Sequence, residues 1–144
     1  AYQDFNAFKL FVLDVGLLGA MSELDVKSLL EGNQIFEEFK GALTEQYVLQ
    51  QLTAEKGTES FYWSAENGSA ELDFIFQNGM YVVPLEVKAE ENLQAKSLKS
   101  YCGKYQPKYA IRSSMSDFRQ EDWMINFPLY AVNELPQWIQ TQEN

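Results

Sequence analysis

Apolar residues recur at three- and four-residue spacing between position 34 and about position 56. An α-helix places residues with this spacing on one face, so the pattern predicts one long amphipathic helix. Gly57 lies directly after this stretch, and glycine commonly follows the last turn of a helix. The apolar positions that define the face are Ile35, Phe39, Ala42, Leu49 and Leu52.

Three strand candidates follow the helix, at residues 59–64, 70–77 and 80–88. The last two flank Asn78-Gly79, a dipeptide that readily accepts the positive φ angles of a tight hairpin turn. The sequence therefore predicts an antiparallel hairpin with these two residues at the centre of its turn.

Side chains alternate along a strand, so the hairpin has one apolar face and one face that carries charge. The apolar face, predicted to be core, comprises Leu72, Phe74, Phe76, Tyr81, Val83, Leu85 and Val87. On the other face, the predicted register places Asp73 opposite Pro84 and Glu71 opposite Glu86. Pro84 cannot donate a ladder hydrogen bond, which predicts an edge position or a bulge for its strand.

Shorter patterns predict the remaining elements. They are a strand at 8–14, helices at 16–21 and 25–30, a helix at 93–105, strands at 109–113 and 127–132, and a closing helix at 134–140. Helices and strands interleave, which predicts an α/β fold with helices around one sheet. The 144 residues fit one domain, with 1–33 as an N-terminal extension and 34–144 as the core.

The composition indicates a folded chain and makes some classes of binding partner less favourable. Apolar residues make up 46% and aromatic residues 15%, enough for a hydrophobic core. The net charge of -10 repels phosphate backbones over the surface as a whole, which disfavours an autonomous high-affinity nucleic-acid binder. Any nucleic-acid contact must therefore be local or assisted by another chain segment.

Missing residue types exclude several kinds of chemistry. The chain contains no His, which excludes His-dependent triads, and its one cysteine, Cys102, excludes disulfide frameworks and thiolate zinc sites. Gly103-Lys104 is followed by Tyr105, so the chain has no P-loop. No apolar run approaches the roughly 18 residues of a membrane span, and no secretion signal is present, so no membrane association and a cytoplasmic location are expected.

Acidic residues converge on the charged face of the hairpin. Glu71, Asp73 and Glu86 share this face with Lys88. Like charges directly opposite one another are unfavourable, so three carboxylates at one place require a cation. Oxygen ligands without imidazole or thiolate suit Mg²⁺ or Mn²⁺, and Lys88 is placed to hold or deprotonate a water beside such an ion. Metal-held water of this kind is suited to phosphodiester hydrolysis.

Glu45 on the long helix is a further candidate, because no cation lies three or four residues from it on the same helix. It must reach solvent or meet a positive group from elsewhere in the fold. Ordinary alternatives remain open for these residues: Glu86 and Lys88 alone are typical of a surface ion pair, Glu71 of a solvated edge residue, and Asp14 of a turn or helix cap.

Glu45 on a helix, Asp73 on one strand and residues 86–88 on the next resemble the signature of the PD-(D/E)XK superfamily of restriction-endonuclease-like nucleases. The chain also resembles, over nearly its whole length, the C-terminal domain of unknown function attached to many bacterial and archaeal AAA-type ATPases. The phrases that carry this second resemblance are residues 9–18, 41–48, 62–64, 70–74, 84–88, 99–101 and 107–112.

The resemblance implies a restriction-endonuclease-like mixed β-sheet flanked by helices, with an αβββαβ core. It implies Mg²⁺ or Mn²⁺ on Asp73 and Glu86, Lys88 beside the attacking water, and Glu45 completing the site. It also implies that the chain is a fragment of a longer protein with an N-terminal ATPase region as its partner. One departure is Leu72, which stands where many members of the superfamily have proline.

Two functions follow as hypotheses. The first is a metal-dependent nuclease domain that cuts DNA or RNA. The second is a catalytically inactive nucleic-acid- or protein-binding module that regulates the ATPase. A strip at 88–112 offers partial support for nucleic-acid contact, because it holds six cations and two acids. The cations are Lys88, Lys96, Lys99, Lys104, Lys108 and Arg112, and a solvated helix face is the alternative interpretation.

Overall fold

The computed structural model describes residues 8–23, 34–56, 58–66, 68–89 and 94–143. Its helices are α1 (Val15–Met21), α2 (Gln34–Lys56), α3 (Lys96–Tyr105) and α4 (Leu135–Thr141), with a 3-10 helix at Leu129–Glu134. Its strands are β1 (Ser60–Ser64), β2 (Glu71–Asn78), β3 (Tyr81–Val87), β4 (Ile111–Ser114), β5 (Arg119–Gln120) and β6 (Ile125–Pro128). The predicted α/β class is confirmed, and α2 to β4 follow the predicted αβββαβ order.

The strands form one mixed sheet in the order β1-β2-β3-β4-β6-β5. β1, β2 and β3 are antiparallel neighbours, whereas β3, β4 and β6 run parallel to one another. Parallel neighbours need a crossover connection, and α3 provides it between β3 and β4. β3 therefore lies in the interior of the sheet, so the edge position predicted from Pro84 is wrong. Pro84 pairs with Ile75 on β2 and immediately precedes the first β3–β4 pair, Leu85 with Ile111.

The β2–β3 hairpin is confirmed, but its register differs from the predicted one by two residues. Asn78 pairs with Tyr81, so Gly79 and Met80 form the turn, and Gly79 has a φ of 60°. Asn78 is withdrawn from the turn because its buried amide donates to Pro136 O at 2.7 Å and accepts from Gln140 Nε2 at 3.2 Å. The contact with α4 thus fixes the register.

A shift of two residues leaves the side chains from Phe74 onward on their predicted faces. Leu72 differs: Phe61 pairs with Ile75 but Trp63 pairs with Leu72, so β2 holds an extra residue here, and Leu72 packs with Ile75 instead of with Phe74 as predicted. Buried residues of β2 and β3 form the main core with α2, β4, β6 and the C-terminal helices. Those that were predicted as core and belong to this cluster are Phe74, Phe76, Val83, Leu85 and Val87. A smaller cluster that includes Leu72 and Ile75 lies with Leu98 and Tyr101 of α3.

Residues 8–13 are not a strand, contrary to the prediction for 8–14. The amide of Gln46 on α2 accepts from Val12 N at 2.9 Å and donates to Val12 O at 2.8 Å. One helix side chain therefore provides both hydrogen bonds that a neighbouring strand would provide. Asp14 caps α1 through a bond from Leu17 N at 3.0 Å, as its alternative interpretation predicted.

Other predicted boundaries hold with small changes. The strand predicted at 127–132 is instead β6 followed by the 3-10 helix, and the short strand β5 was not predicted. The helix predicted at 25–30 lies outside the described residues. Among the residues described, none of the helices has the length and apolar character that crossing a membrane requires.

Candidate functional site

The predicted site residues come from three elements that meet where β2 begins and β3 ends. α2 carries Glu45, β2 carries Asp73, and β3 carries Glu86 with Lys88 directly after its last residue. The observed register moves Asp73 away from Pro84 and toward the end of β3. The carboxylate of Asp73 accepts a hydrogen bond from Val87 N at 2.7 Å.

An ammonium group that sequence reasoning did not assign lies among the carboxylates. Lys9 Nζ is 3.0 Å from Glu71 Oε1, 3.3 Å from Glu45 Oε2 and 3.7 Å from Asp73 Oδ1. It also lies 5.7 Å from the centre of the Tyr62 ring. Glu45 thus meets a positive group from elsewhere in the fold, one of the two outcomes expected for it.

Burial and charge act in opposite directions on the Lys9 pKa. Burial alone would lower it, but the hydrogen bond to Glu71 and the negative charges of Glu45 and Asp73 outweigh this effect and raise it. Lys9 is therefore a cation at neutral pH. Glu71 is half exposed and contributes from the rim of the site, in keeping with its expected place at a solvated edge.

Asp73 is the perturbed acid of the site. Burial, followed by the charge of Glu45, raises its pKa to about 6, although the bond from Val87 N and the charges of Lys9 and Lys88 act to lower it. An elevated pKa for a partly buried carboxyl is typical of functional sites, and it means that a further positive charge here would be favourable.

Glu86 is only 4% exposed, and both of its oxygens have partners. Its Oε1 lies 2.8 Å from Lys88 Nζ, and its Oε2 accepts from Leu98 N at 3.1 Å. Leu98 belongs to the first turn of α3, where main-chain N–H groups lack helical partners and favour an anion. Glu86 and Lys88 are therefore an ion pair in which the carboxylate is buried, unlike an ordinary surface pair.

Arg112 lies behind Glu86 and is fully buried. It is the β4 partner of Glu86 in the parallel register, and its Nε donates to Asn126 Oδ1 at 2.9 Å. Burial lowers its pKa, while the charges of Glu121 and Glu86 act to raise it. Arg112 does not belong to an exposed basic strip, because all four residues of β4 are buried, and no local pattern in the sequence signalled this.

The structure thus forms two linked groups. Glu45, Glu71 and Asp73 surround Lys9, while Glu86 pairs with Lys88, and the Asp73–Val87 bond connects the two groups. In the described part of the chain, no set of three or more acidic or cysteine side chains is arranged to hold a metal ion directly. The donor set of Glu45 and Asp73 suits a hard cation, because both carboxylates already face one positive atom.

The pH dependence of stability provides a test of the Asp73 environment. Because its folded pKa is raised, the native state binds the Asp73 proton more tightly than the unfolded chain, whose Asp pKa is about 3.9. The ionised carboxyl therefore costs stability above about pH 6, and the cost disappears as the pH falls toward about 4. Without divalent metal, lowering the pH from about 7 to about 5 should increase the free energy of unfolding of wild type relative to that of Asp73→Asn. Urea denaturation at each pH measures this difference. The same pH dependence of the free energy of unfolding in both variants would contradict a raised pKa for Asp73.

These features define a mixed α/β domain with a semi-buried cluster of carboxylates and lysines at the end of an interior strand. The chain belongs to the family described as Domain of unknown function (DUF4143), whose model matches residues 40–131. The match covers α2 from residue 40 onward, α3 and strands β1 to β6, and so includes Glu45, Asp73, Glu86 and Lys88. A search of curated proteins finds no significant match to the chain.

Proposed function

We propose that this chain is a metal-dependent nuclease-like domain of the restriction-endonuclease-like class, appended to an AAA-type ATPase, which hydrolyses phosphodiester bonds in DNA or RNA. The observation that supports it most is the position of Asp73. Its carboxylate faces the same cation as Glu45 and bonds to the main chain between Glu86 and Lys88. Acidic oxygens from a helix and a strand thus adjoin an E-x-K sequence on the next strand.

In this proposal Asp73, Glu86 and Glu45 hold Mg²⁺ or Mn²⁺, which would supply a polarised water and neutralise charge on the phosphate. Lys88 would orient the attacking water and stabilise the negative charge that develops on the phosphate. About a third of its side chain is exposed, so Lys88 is accessible to water and substrate, whereas Glu86 is buried. Burial of the carboxylates strengthens their attraction for a cation.

Exposed lysines near the site support a nucleic-acid substrate. Lys96 and Lys99 lie on the first turns of α3, on either side of Leu98, whose N–H bonds to Glu86. Lys104 near the end of the same helix is also exposed. Phosphate groups on such a helix would lie close to the carboxylate site while the rest of the surface stays acidic.

A second function, a catalytically inactive binding or regulatory module of the same ATPase, is favoured by a different observation. The acids at the site already have partners within the chain, because Lys9 contacts Glu45, Glu71 and Asp73, and Lys88 with Leu98 N satisfies Glu86. Each of these acids therefore has a partner without a metal, although Lys9 offsets only one of the three negative charges around it. Under this hypothesis no divalent ion binds and nuclease assays stay blank.

Metal-dependent thermal stability separates the two functions. With Mn²⁺ at about ten times its Kd, binding to the native state adds about 1.4 kcal/mol, which raises the Tm of a chain of this size by several degrees. Asp73→Ala should abolish the rise, because it removes a ligand. Calorimetry with and without Mn²⁺ measures both.

Asp122→Ala is the matched control, because Asp122 is an exposed acid outside the site. It should retain the full rise in Tm. Equal Tm shifts in wild type and Asp73→Ala would count against the nuclease proposal, and no shift in any variant would favour the inactive module.

A further inference from the structure

Residues 8–14, here called the N-terminal arm, lie along α2 and carry Lys9 into the acidic site. Gln46 binds the main chain of Val12, and Gln50 Oε1 accepts from Val15 N at 2.9 Å. Gln50 Nε2 donates to Asp14 Oδ2 at 3.1 Å. The arm is thus held mainly by two glutamine amides of one helix.

Apolar contacts of the arm are few. Phe11 packs on the core, with its ring centre 5.9 Å from that of Phe74. Phe8, Leu10 and Leu13 are 78%, 88% and 89% exposed. Since exposed side chains contribute little burial energy, the arm is attached by a small set of interactions that can be broken without unfolding the sheet.

Lys9 occupies the point toward which Glu45 and Asp73 face. Its three carboxylate contacts lie between 3.0 and 3.7 Å, so a cation that used Glu45 and Asp73 together would have to occupy the same space. Glu86 offers no separate cation site away from Lys9, because its oxygens contact Lys88 and Leu98 N, and it would join the metal only as a further ligand beside Asp73.

We propose that the N-terminal arm is a built-in competitor of the metal, and that Lys9 and a divalent cation bind Glu45 and Asp73 in mutually exclusive fashion. Binding of the cation displaces Lys9 and loosens the arm from α2. This inference rests on the proposed metal site. It adds to it a coupling between metal binding and the state of the arm.

Mutual exclusion makes the coupling reciprocal. A change that stabilises the docked arm weakens metal binding, and a change that destabilises the docked arm strengthens metal binding. The two equilibrium constants change by the same factor. The apparent Kd of the metal equals its intrinsic Kd divided by the fraction of molecules whose site is not held by Lys9. A chain with the arm docked about nine-tenths of the time would show an apparent Kd about tenfold weaker than its intrinsic value.

The first measurement is the Mn²⁺ affinity of arm variants of the full chain, determined by titration calorimetry. Lys9→Met should tighten Mn²⁺ binding about tenfold or more. That variant also removes a positive charge, so Gln50→Ala is the charge-neutral test, and it should tighten binding in the same direction. Lys104→Met and Gln51→Ala are matched controls, because they change an exposed lysine of α3 and a neighbouring glutamine of α2. Both should leave the Kd unchanged.

The second measurement is hydrogen exchange of the Val12 and Val15 amides with and without saturating Mg²⁺. These two N–H groups donate to Gln46 and Gln50, so their protection reports the docked arm directly. Mg²⁺ should reduce protection of both in wild type and should have no such effect in Asp73→Ala. Metal binding with unchanged protection, or an unchanged Kd in Gln50→Ala, would overturn the inference while leaving the metal site intact. Absence of Mn²⁺ binding in wild type and in Lys9→Met would overturn the proposed function and the inference with it.

Discussion

Under the nuclease function proposed above, replacing Lys88 with methionine should lower metal-dependent cleavage of nucleic acid by at least about 100-fold, the usual contribution of a positioned acid or base. The reason is geometric: Lys88 is the partly exposed cation next to the buried Glu86 carboxylate, at 2.8 Å. Methionine keeps the length and apolar stem of the side chain but removes its proton and its charge. Initial rates on DNA and RNA with Mn²⁺ measure the effect.

The control for this prediction must separate chemistry from folding, because Lys88→Met also leaves Glu86 without its ion-pair partner. The Mn²⁺-dependent rise in Tm should persist in Lys88→Met, since Asp73 and Glu45 remain. Arg119→Met, which removes an exposed cation on β5 at the far edge of the sheet, should cleave within about twofold of wild type. Cleavage by Lys88→Met at the wild-type rate would remove Lys88 from the reaction.

Phe74→Ala should destabilise the chain by about 3–5 kcal/mol, the usual cost of removing a large aromatic side chain from a packed core. Phe74 is 2% exposed in the main core cluster, and its ring contacts that of Phe11. The deletion leaves a cavity between β2 and the arm that neighbouring side chains only partly fill. Urea denaturation followed by circular dichroism gives the free energy of unfolding.

Phe61→Ala is the comparison for Phe74→Ala, because Phe61 on β1 is 43% exposed. Its loss should cost less than about 1 kcal/mol, because little packing is removed. Equal costs for the two variants would mean that the core is not centred on this face of β2.

Elements fixed by local periodicity were predictable from the sequence. α2 has apolar residues at helical spacing along most of its length, β2 alternates in burial, and β3 is rich in β-branched residues beside a turn signal, so their type and approximate bounds followed. The prediction of a strand at 8–14 was wrong for a specific reason. Its apolar pattern resembles a strand, but the groups that satisfy its main chain come from Gln46, which is 34 residues away.

The register of the hairpin could not be predicted from the local sequence alone. The core pattern repeats every two residues, so it cannot distinguish two registers that differ by two positions. Asn78-Gly79 is a strong turn signal, but the buried contact of Asn78 with Pro136 and Gln140 outweighs it. A partner about 60 residues away in the chain is not visible in the hairpin sequence.

The candidate site was predicted in part. Glu45, Asp73, Glu86 and Lys88 followed from strand alternation and from the lack of a helical partner for Glu45. Lys9 was missed because its role depends on the path of the arm across α2, which no periodicity encodes. The predicted metal on these residues stays a prediction.

The hydrogen bond from Leu98 N to Glu86 connects the main chain of a helix that carries exposed lysines to a buried side chain of the sheet. Lys96 and Lys99 flank Leu98 on the surface, whereas Glu86 belongs to a strand with neighbours on both sides. A change in the position of the first turn of α3 would therefore alter the hydrogen bonding of a buried carboxylate directly.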